Sequence, residues 1–252
     1  MLSVRPAQWQ ALTEAGLGRF AQEMFEHLCG FAPELADFAG TDRVHEVVRL
    51  GIARGRTHRF THRGPLRTYL EMMLALGSDF DTDPALRRAS AALRAREPEQ
   101  HRRARLLYED VLQYCERVNG LQNGHALAAL RRLRDVPYEA LASSGNFHER
   151  TLLLFRGCFP EKYQYAGEAA LRQFATGAAR KAEEYGVGSD AGRQLMALLL
   201  FLFGHGAFAD PAYRWMAETM RDAALPGPEH RVRELHRKAR LYLAAALKNH
   251  PA

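Results

Sequence analysis

The sequence predicts an all-α protein made of two tandem copies of a four- to five-helix unit, packed as one helical body. Apolar and small residues recur with helical spacing, and no segment shows the alternation of a half-buried strand. The turn-forming residues also repeat: DPALR begins at Asp83, and DPAYR begins at Asp210, 127 positions later. A hydrophobic fraction of 47% and a charged fraction of 25% are typical of a folded globular chain.

The first unit is expected to span residues 1–121. Its helices are predicted at about 6–29, 42–58, 64–76 and 84–95, with a longer helix at about 99–118. The second of these shows the clearest pattern, an i, i+3, i+4, i+7 stripe of small and apolar residues at Val44, Val47, Val48, Gly51 and Gly55. A stripe of this kind predicts a helix with one face buried in a core.

A connecting segment, residues 122–146, is expected to hold a helix near 124–134 and the loop ASSGN. The second unit then spans 147–252, with helices at about 147–157, 166–184, 190–203, 211–223 and 229–248. Adding 127 to the stripe of the first unit gives Leu171, Phe174, Ala175, Ala178 and Ala182, which form the same stripe. Such self-similarity predicts an internal duplication.

The repeated glycine, proline and aspartate residues are interpreted as helix caps. Glycine accepts the left-handed conformation just after a helix, and proline prevents a helix from continuing. Aspartate accepts a hydrogen bond from a free amide of the next helix, and proline fits its first position. The predicted caps are Gly30, Pro33, Gly77, Asp83 and Pro84 in the first unit and Gly157, Pro160, Gly204, Asp210 and Pro211 in the second.

Two patterns with metal-ligand spacing are interpreted as structural. DFDTD places carboxylates at alternate positions from Asp79, but a calcium loop needs glycine at its sixth and glutamate at its twelfth position, where this chain has Pro84 and Ser90. HRFTH spaces His58 and His62 by four, without the glutamate of a zinc-protease helix. We therefore expect no metal and no cofactor.

No catalytic motif is present, so the sequence predicts a protein that is not an enzyme. GVGSDAG follows a predicted helix and lacks the lysine of a phosphate-binding loop. The three cysteines show no CxxC spacing and indicate reduced thiols of a cytoplasmic protein. The most apolar run, LMALLLFLF, has nine residues against the roughly 20 that span a bilayer, so no membrane insertion is expected.

The net charge of +6 comes from an arginine-rich chain with four lysines. Acidic residues lie between the arginines, and this favours solvated helix faces carrying ion pairs. The alternatives are an acidic protein partner and nucleic acid, whose phosphates such clusters could neutralise. The possible partner-binding residues are Arg87, Arg102, Arg103, Arg105, Arg214, Arg233 and Arg237.

Residues Arg49 to Pro84 resemble small, largely uncharacterised bacterial proteins encoded beside type VI secretion spike (VgrG and PAAR) and effector genes. Those proteins share Gly-Ile near an arginine, a Tyr-Leu-x-x-Met-Leu-x-Leu-Gly helix and Phe-Asp-x-Asp-Pro. The matching residues here are Gly51, Ile52, Tyr69, Leu70, Met73, Leu76, Gly77, Phe80, Asp81, Asp83 and Pro84. The second unit departs from the pattern, with Ala178 in place of Gly51.

The resemblance implies a cytoplasmic adaptor or chaperone for a secreted effector, or an immunity protein that blocks a sibling toxin. Its partner would be the effector, the toxin or a spike component. The resemblance carries no catalytic residue. The leading prediction is therefore a non-enzymatic interaction protein, and the alternative is an arginine-rich nucleic-acid-binding protein.

Overall fold

The computed structural model describes residues 5–95, 97, 99–142 and 145–248, with only the backbone described at 34 and 35. The described residues contain α-helices and short turns of 3-10 and π helix and no strand, which confirms the all-α class. The helices are α1 Pro6–Phe31, α2 Pro33–Ala39, α3 Thr41–Thr57, α4 Arg63–Leu76, α5 Arg87–Arg94, α6 Gln100–Tyr114, α7 Gly124–Asp135, α8 Tyr138–Leu141, α9 Phe147–Cys158, α10 Pro160–Ala166, α11 Glu168–Glu184, α12 Asp190–Phe203, α13 Arg214–Arg221 and α14 Pro228–Lys248.

The helix boundaries of two segments, 33–94 and 160–221, coincide when shifted by 127 residues; we call them the matched segments. Helices α2, α3, α4 and α5 each begin and end 127 positions before α10, α11, α12 and α13. The 3-10 turn Pro84–Leu86 that precedes α5 has its counterpart in Pro211–Tyr213. Common ancestry of the matched segments and the unit boundaries at 121 and 147 stay predictions.

The predicted helix ends at Gly30 and Gly157 were wrong. Helix α1 continues through Gly30 to Phe31, and α9 continues through Gly157 to Cys158. Glycine inside a helix costs about 1 kcal/mol relative to alanine and does not by itself end it. The helices end because the residue before a proline is forced out of the helical region. Ala32, before Pro33, accordingly has φ −137° and ψ 71°.

Three further differences concern short elements. Helices α2 and α10 have seven residues each and were not predicted. The predicted helix at 84–95 is a 3-10 turn followed by α5, and the predicted helix at 99–118 is α6 followed by the π-helical segment Cys115–Asn119. Apart from α6, each of these elements has eight residues or fewer, too short for apolar periodicity to identify.

The buried side chains form two hydrophobic clusters, one between residues 20 and 118 and one that lies almost entirely between 129 and 243. In the first cluster, the stripe of α3 packs on α4. A Cβ atom at Gly51 would overlap the side chain of Leu70, so glycine at this position allows the two helices to approach closely.

The two clusters meet where two turns contact each other, residues 77–83 after α4 and 204–210 after α12; we call this contact the seam. Gly77 and Gly204 have φ values of +94° and +96° and lie against each other. A Cβ atom at Gly77 would lie 2.5 Å from the carbonyl oxygen of Phe203, and one at Gly204 would lie 2.9 Å from that of Leu76. The backbones therefore approach at a distance that only glycine permits.

Candidate functional site

The main polar cluster in the first matched segment is a network of three side chains. Asp81 lies in the turn after α4, His58 caps the end of α3, and Tyr69 lies within α4. The Oδ2 atom of Asp81 is 2.7 Å from His58 Nε2 and accepts a hydrogen bond from the Tyr69 hydroxyl at 3.1 Å. Tyr69 and Asp81 are buried, and the side chain of His58 is 20% exposed. We call these three residues the His–Asp–Tyr network.

The electrostatics of the network fix its protonation. Burial alone would raise the pKa of Asp81, but the hydrogen bonds and charges of His58, Tyr69 and Arg54 outweigh burial and lower that pKa. Burial, followed by the negative charge of Asp81, raises the pKa of Tyr69 far above its usual value. Asp81 is therefore an anionic acceptor, and the neutral Tyr69 hydroxyl is its donor. His58 Nε2 must then carry a proton to donate to Asp81.

Arg54 joins the network to the seam. Its guanidinium donates to the carbonyl oxygen of Ser78 at 2.7 Å, pairs with Asp79 and lies 3.8 Å from Asp81. The Asp79 carboxylate packs against Gly206, where a Cβ atom would overlap it. The network is thus built from α3 and α4 but is also in contact with the turn after α12.

The two predicted N-cap aspartates have a second role that the sequence did not reveal. The Oδ1 atoms of Asp83 and Asp210 accept hydrogen bonds from the amides of Ala85 and Ala212, at 2.7 and 2.9 Å. Their Oδ2 atoms accept from the amides of His205 and Ser78 across the seam, at 3.4 and 3.0 Å. The two accepting aspartates are 127 residues apart, and so are the two donating amides.

The contacts across the seam are therefore reciprocal, as in an isologous interface between two like surfaces. A second pair shows the same relation. Arg214 contacts Glu46 at 3.5 Å, and Arg87 donates to Gln173 at 3.3 Å, where the partners are again offset by 127 residues.

The remaining predicted caps lie as follows. Gly77 and Gly204 come directly after α4 and α12. Pro33, Pro84, Pro160 and Pro211 each occupy the first position of a helix or 3-10 turn.

A cavity of about 480 Å³ lies beside the His–Asp–Tyr network, between the end of α3, the end of α5 and the start of α6. We call it the arginine cavity, because its charged lining includes Arg59, Arg94 and Arg103 together with His58 and Glu97. Arg103 is buried with 7% exposure, whereas Arg59 and Arg94 are exposed.

A second cavity of about 720 Å³ overlaps the corresponding place in the second matched segment, at Tyr185 and Arg221, and extends to Asp210, Arg214 and Glu46. Two of its four basic residues pair with carboxylates within the described residues. Lys181 contacts Glu184 at 2.6 Å, and Arg214 contacts Glu46 and Glu218. We call it the paired cavity.

The seven arginines predicted to bind a partner do not form one surface. Five make ion pairs with glutamates: Arg102 with Glu97, Arg105 with Glu109, Arg214 with Glu46 and Glu218, Arg233 with Glu139 and Glu229, and Arg237 with Glu234. Arg87 contacts Gln173, and Arg103 is buried. These residues lie on α5, α6, α13 and α14.

An exposed apolar surface lies instead on the first turns of α1. Residues 6–15 are all exposed, including Trp9 at 66% and Leu12 at 61%. Further along the helix, Phe20, Met24 and Leu28 are buried. Trp9 and Leu12 continue the side of the helix that carries these buried residues, since positions 9, 12, 16, 20 and 24 fall on one helix face. We call residues 6–15 the α1 arm.

Neither pattern with metal-ligand spacing brings its members together as ligands. The three aspartates of DFDTD contact Arg54, His58 and Ala85 respectively. His58 contacts Asp81, while His62 lies 2.9 Å from His101. No group of three or more His, Cys, Asp or Glu side chains in the described residues is arranged to hold a metal ion.

The His–Asp–Tyr network was not recognised from the sequence, because its histidine and its aspartate were considered in separate motifs. A signal was available in the 127-residue offset. The positions that match His58, Tyr69 and Asp81 hold Tyr185, Met196 and Phe208. All three polar residues are thus replaced by less polar ones in the second matched segment. This pattern indicates a polar cluster that is present only in the first matched segment.

Comparison with known proteins adds no assignment. No protein-family model matches the chain, and neither the curated proteins nor the solved structures give a match. Across the described residues, none of the helices combines the length and the apolar character needed to cross a bilayer.

Proposed function

We propose that the chain is a non-enzymatic helical interaction protein, acting as an adaptor, chaperone or immunity protein for a type VI secretion effector. The observation that carries the interaction role is the exposed apolar face of the α1 arm. The choice of a secretion effector as partner rests on the resemblance of residues 49–84 alone.

The α1 arm has the properties of a docking helix. Its ten residues extend about 15 Å at 1.5 Å per residue. Trp9 and Leu12 lie on the face that is buried further along α1, so the helix leaves the core with this face uncovered. An amphipathic helix with a large aromatic anchor is a common way to enter an apolar groove of another protein.

The arginines support a protein partner better than nucleic acid. Five of the seven candidate arginines already pair with glutamates, so less of their charge is available to neutralise phosphates. The apolar α1 arm also offers little to a phosphate backbone, whereas burying a Trp or Leu side chain contributes about 1.5–3 kcal/mol to protein association.

The test is co-purification of the full chain with the effector encoded beside its gene, at low and at moderate salt. We expect a salt-tolerant complex, because the contact is apolar. The double variant Trp9→Ala/Leu12→Ala should weaken it at least about tenfold, since each truncation removes on the order of 1–2 kcal/mol. Leu153→Ala is the matched control, because this leucine is 65% exposed on α9, away from the arm.

Two outcomes would contradict the proposal. Equal binding by the arm variant and the control would show that the α1 arm is not the docking surface. Binding of duplex DNA or RNA that collapses between low and moderate salt, with a slope of about −0.9 per phosphate contact, would favour the nucleic-acid alternative.

A further inference from the structure

The arginine cavity holds a buried guanidinium that lacks a carboxylate partner. Arg103 is 7% exposed, donates one hydrogen bond to the carbonyl oxygen of His58 at 2.8 Å, and lies 5.0 Å from the centre of the Phe60 ring. Its Nε atom is buried without a hydrogen-bond partner among the described residues. An arginine has five N–H donors and stays charged in proteins, so a buried one that is poorly paired is costly.

The other two arginines of the cavity add charge to the same space. Arg59 has φ +60°, a left-handed conformation that is unfavourable for a side chain larger than glycine. The matching position in the second segment is Gly186, with φ +69°. The first segment therefore keeps an arginine where the backbone favours glycine, and strain of this kind is concentrated at functional sites.

The cavity contains little negative charge to balance these residues. Its lining carboxylate is Glu97, which pairs with Arg102 on the outer side of α6 at 3.2 Å. The nearby Asp81 is bound to His58 and Tyr69. Three guanidinium groups therefore face one cavity. In the paired cavity, two of the four cations, Lys181 and Arg214, already have carboxylate partners.

We propose that the arginine cavity binds a small phosphate-bearing molecule, with its phosphate group against Arg59, Arg94 and Arg103. Guanidinium groups recognise phosphate oxygens through paired hydrogen bonds, and a phosphate in the cavity would balance the charge of Arg103, whose hydrogen bond goes to a neutral backbone carbonyl. The volume of about 480 Å³ lies within the range of small-molecule sites and leaves room for more than a phosphate ion. Gln100 lines the cavity as a further hydrogen-bonding group. This site is independent of the α1 arm.

The experiment is calorimetric titration of the full chain with inorganic phosphate and with ribose 5-phosphate, at constant ionic strength and with chloride as the competing anion. We expect saturable binding of one equivalent, with ribose 5-phosphate binding more tightly than phosphate because the cavity is larger than the ion. If the two bind equally, the site holds a free phosphate ion and not a phosphorylated molecule, which overturns the proposal as stated.

Two exposed arginines allow the site to be changed without disturbing the core. Arg59→Gly relieves the left-handed strain, so the variant should fold with an unchanged or higher thermal midpoint and bind at least tenfold more weakly. Arg94→Gln should also weaken binding at least tenfold. The control is Arg221→Gln, which makes the change at the matching position in the paired cavity and should leave binding unchanged.

The proposal is overturned if Arg59→Gly and Arg94→Gln bind ribose 5-phosphate as tightly as the unmodified protein, or if Arg221→Gln weakens binding equally. It is also overturned if heat release grows without saturation, as expected for a general attraction of anions to a cationic protein.

Discussion

The two matched segments share their helix boundaries but differ in what they bury at equivalent places. In segment 33–94, the turn after α4 carries an aspartate that binds a histidine and a tyrosine. In segment 160–221, the matching residues pack as an apolar group: the rings of Tyr185 and Phe208 are 5.3 Å apart, and Met196 is completely buried.

This difference indicates that a segment with these helix boundaries can fold without the polar network. The same helix lengths and the same turn are compatible with apolar packing, which is often as stable as a buried polar cluster or more stable. A polar cluster that the fold can do without needs another reason to be present. The position of His58 on the wall of the arginine cavity supplies one, because a fixed His58 also fixes the backbone carbonyl to which Arg103 donates.

The largest predicted effect tests the seam, where the segments are most alike. Gly77→Ala should lower the free energy of unfolding by about 2–5 kcal/mol. The left-handed conformation contributes about 1–2 kcal/mol, and overlap with the carbonyl oxygen of Phe203 adds about 1–3 kcal/mol. Denaturant unfolding followed by circular dichroism measures the loss.

The control for this variant is Gly167→Ala. Gly167 also has a positive φ, +77°, but a Cβ atom there would meet nothing within 4 Å, so only the conformational cost of about 1–2 kcal/mol is expected. Equal losses in the two variants would mean that the close approach of Gly77 and Gly204 does not hold the segments together.

The second prediction tests the His–Asp–Tyr network, which is present only in the first matched segment. Asp81→Ala should lower the free energy of unfolding by about 2–3 kcal/mol, because the buried Tyr69 hydroxyl and His58 lose their acceptor. Replacing the whole network by the residues of the other segment, as His58→Tyr/Tyr69→Met/Asp81→Phe, should cost less than about 1 kcal/mol, since no polar group then lacks a partner.

Denaturant unfolding measures the free energy of unfolding of both variants. A triple variant as unstable as Asp81→Ala would show that the first segment needs the network to fold, so the network would have a structural role. A stable triple variant should in addition weaken the binding of ribose 5-phosphate to the arginine cavity, because it loses the side-chain hydrogen bond at residue 58 that holds the backbone carbonyl to which Arg103 donates.

Sequence reasoning predicted the features that depend on neighbouring residues. The Asp-Pro pairs start 3-10 turns because the aspartate caps an amide two residues away. The apolar stripe of α3 can be recognised in the sequence because its members are three or four residues apart. The all-α class follows from such local signals.

The features that were missed depend on distant residues. The second hydrogen bond of Asp210 reaches the amide of Ser78, 132 positions away, and no local pattern specifies it. His58 and Asp81 are 23 positions apart and were considered in separate motifs. Arg103 was grouped with surface arginines because charge clustering does not show which side of α6 is buried.

The smallest predicted effect concerns a titratable residue of the seam whose counterpart does not titrate. His205 matches Ser78, and its Nδ1 atom lies 3.6 Å from Asp83. Burial lowers the pKa of His205, but the nearby carboxylate of Asp83, with the charges of Asp79 and Asp81, outweighs burial and raises it above the ordinary 6.5. The protonated ring therefore stabilises the fold below pH 6.5, and this contribution is lost as pH rises through the raised pKa.

His205→Ser removes this titration but keeps the backbone amide that donates to Asp83. Between pH 6.5 and 7.5 the thermal midpoint of the unmodified protein should fall by about 2 °C or less relative to the variant, measured by scanning calorimetry. Lys162, whose pKa burial lowers to about 8, and His236, whose pKa burial lowers below 6.5, are present in both proteins, so their contributions cancel in the difference between the two profiles. If the variant and the unmodified protein follow the same pH profile, His205 does not carry a proton-linked contact with Asp83.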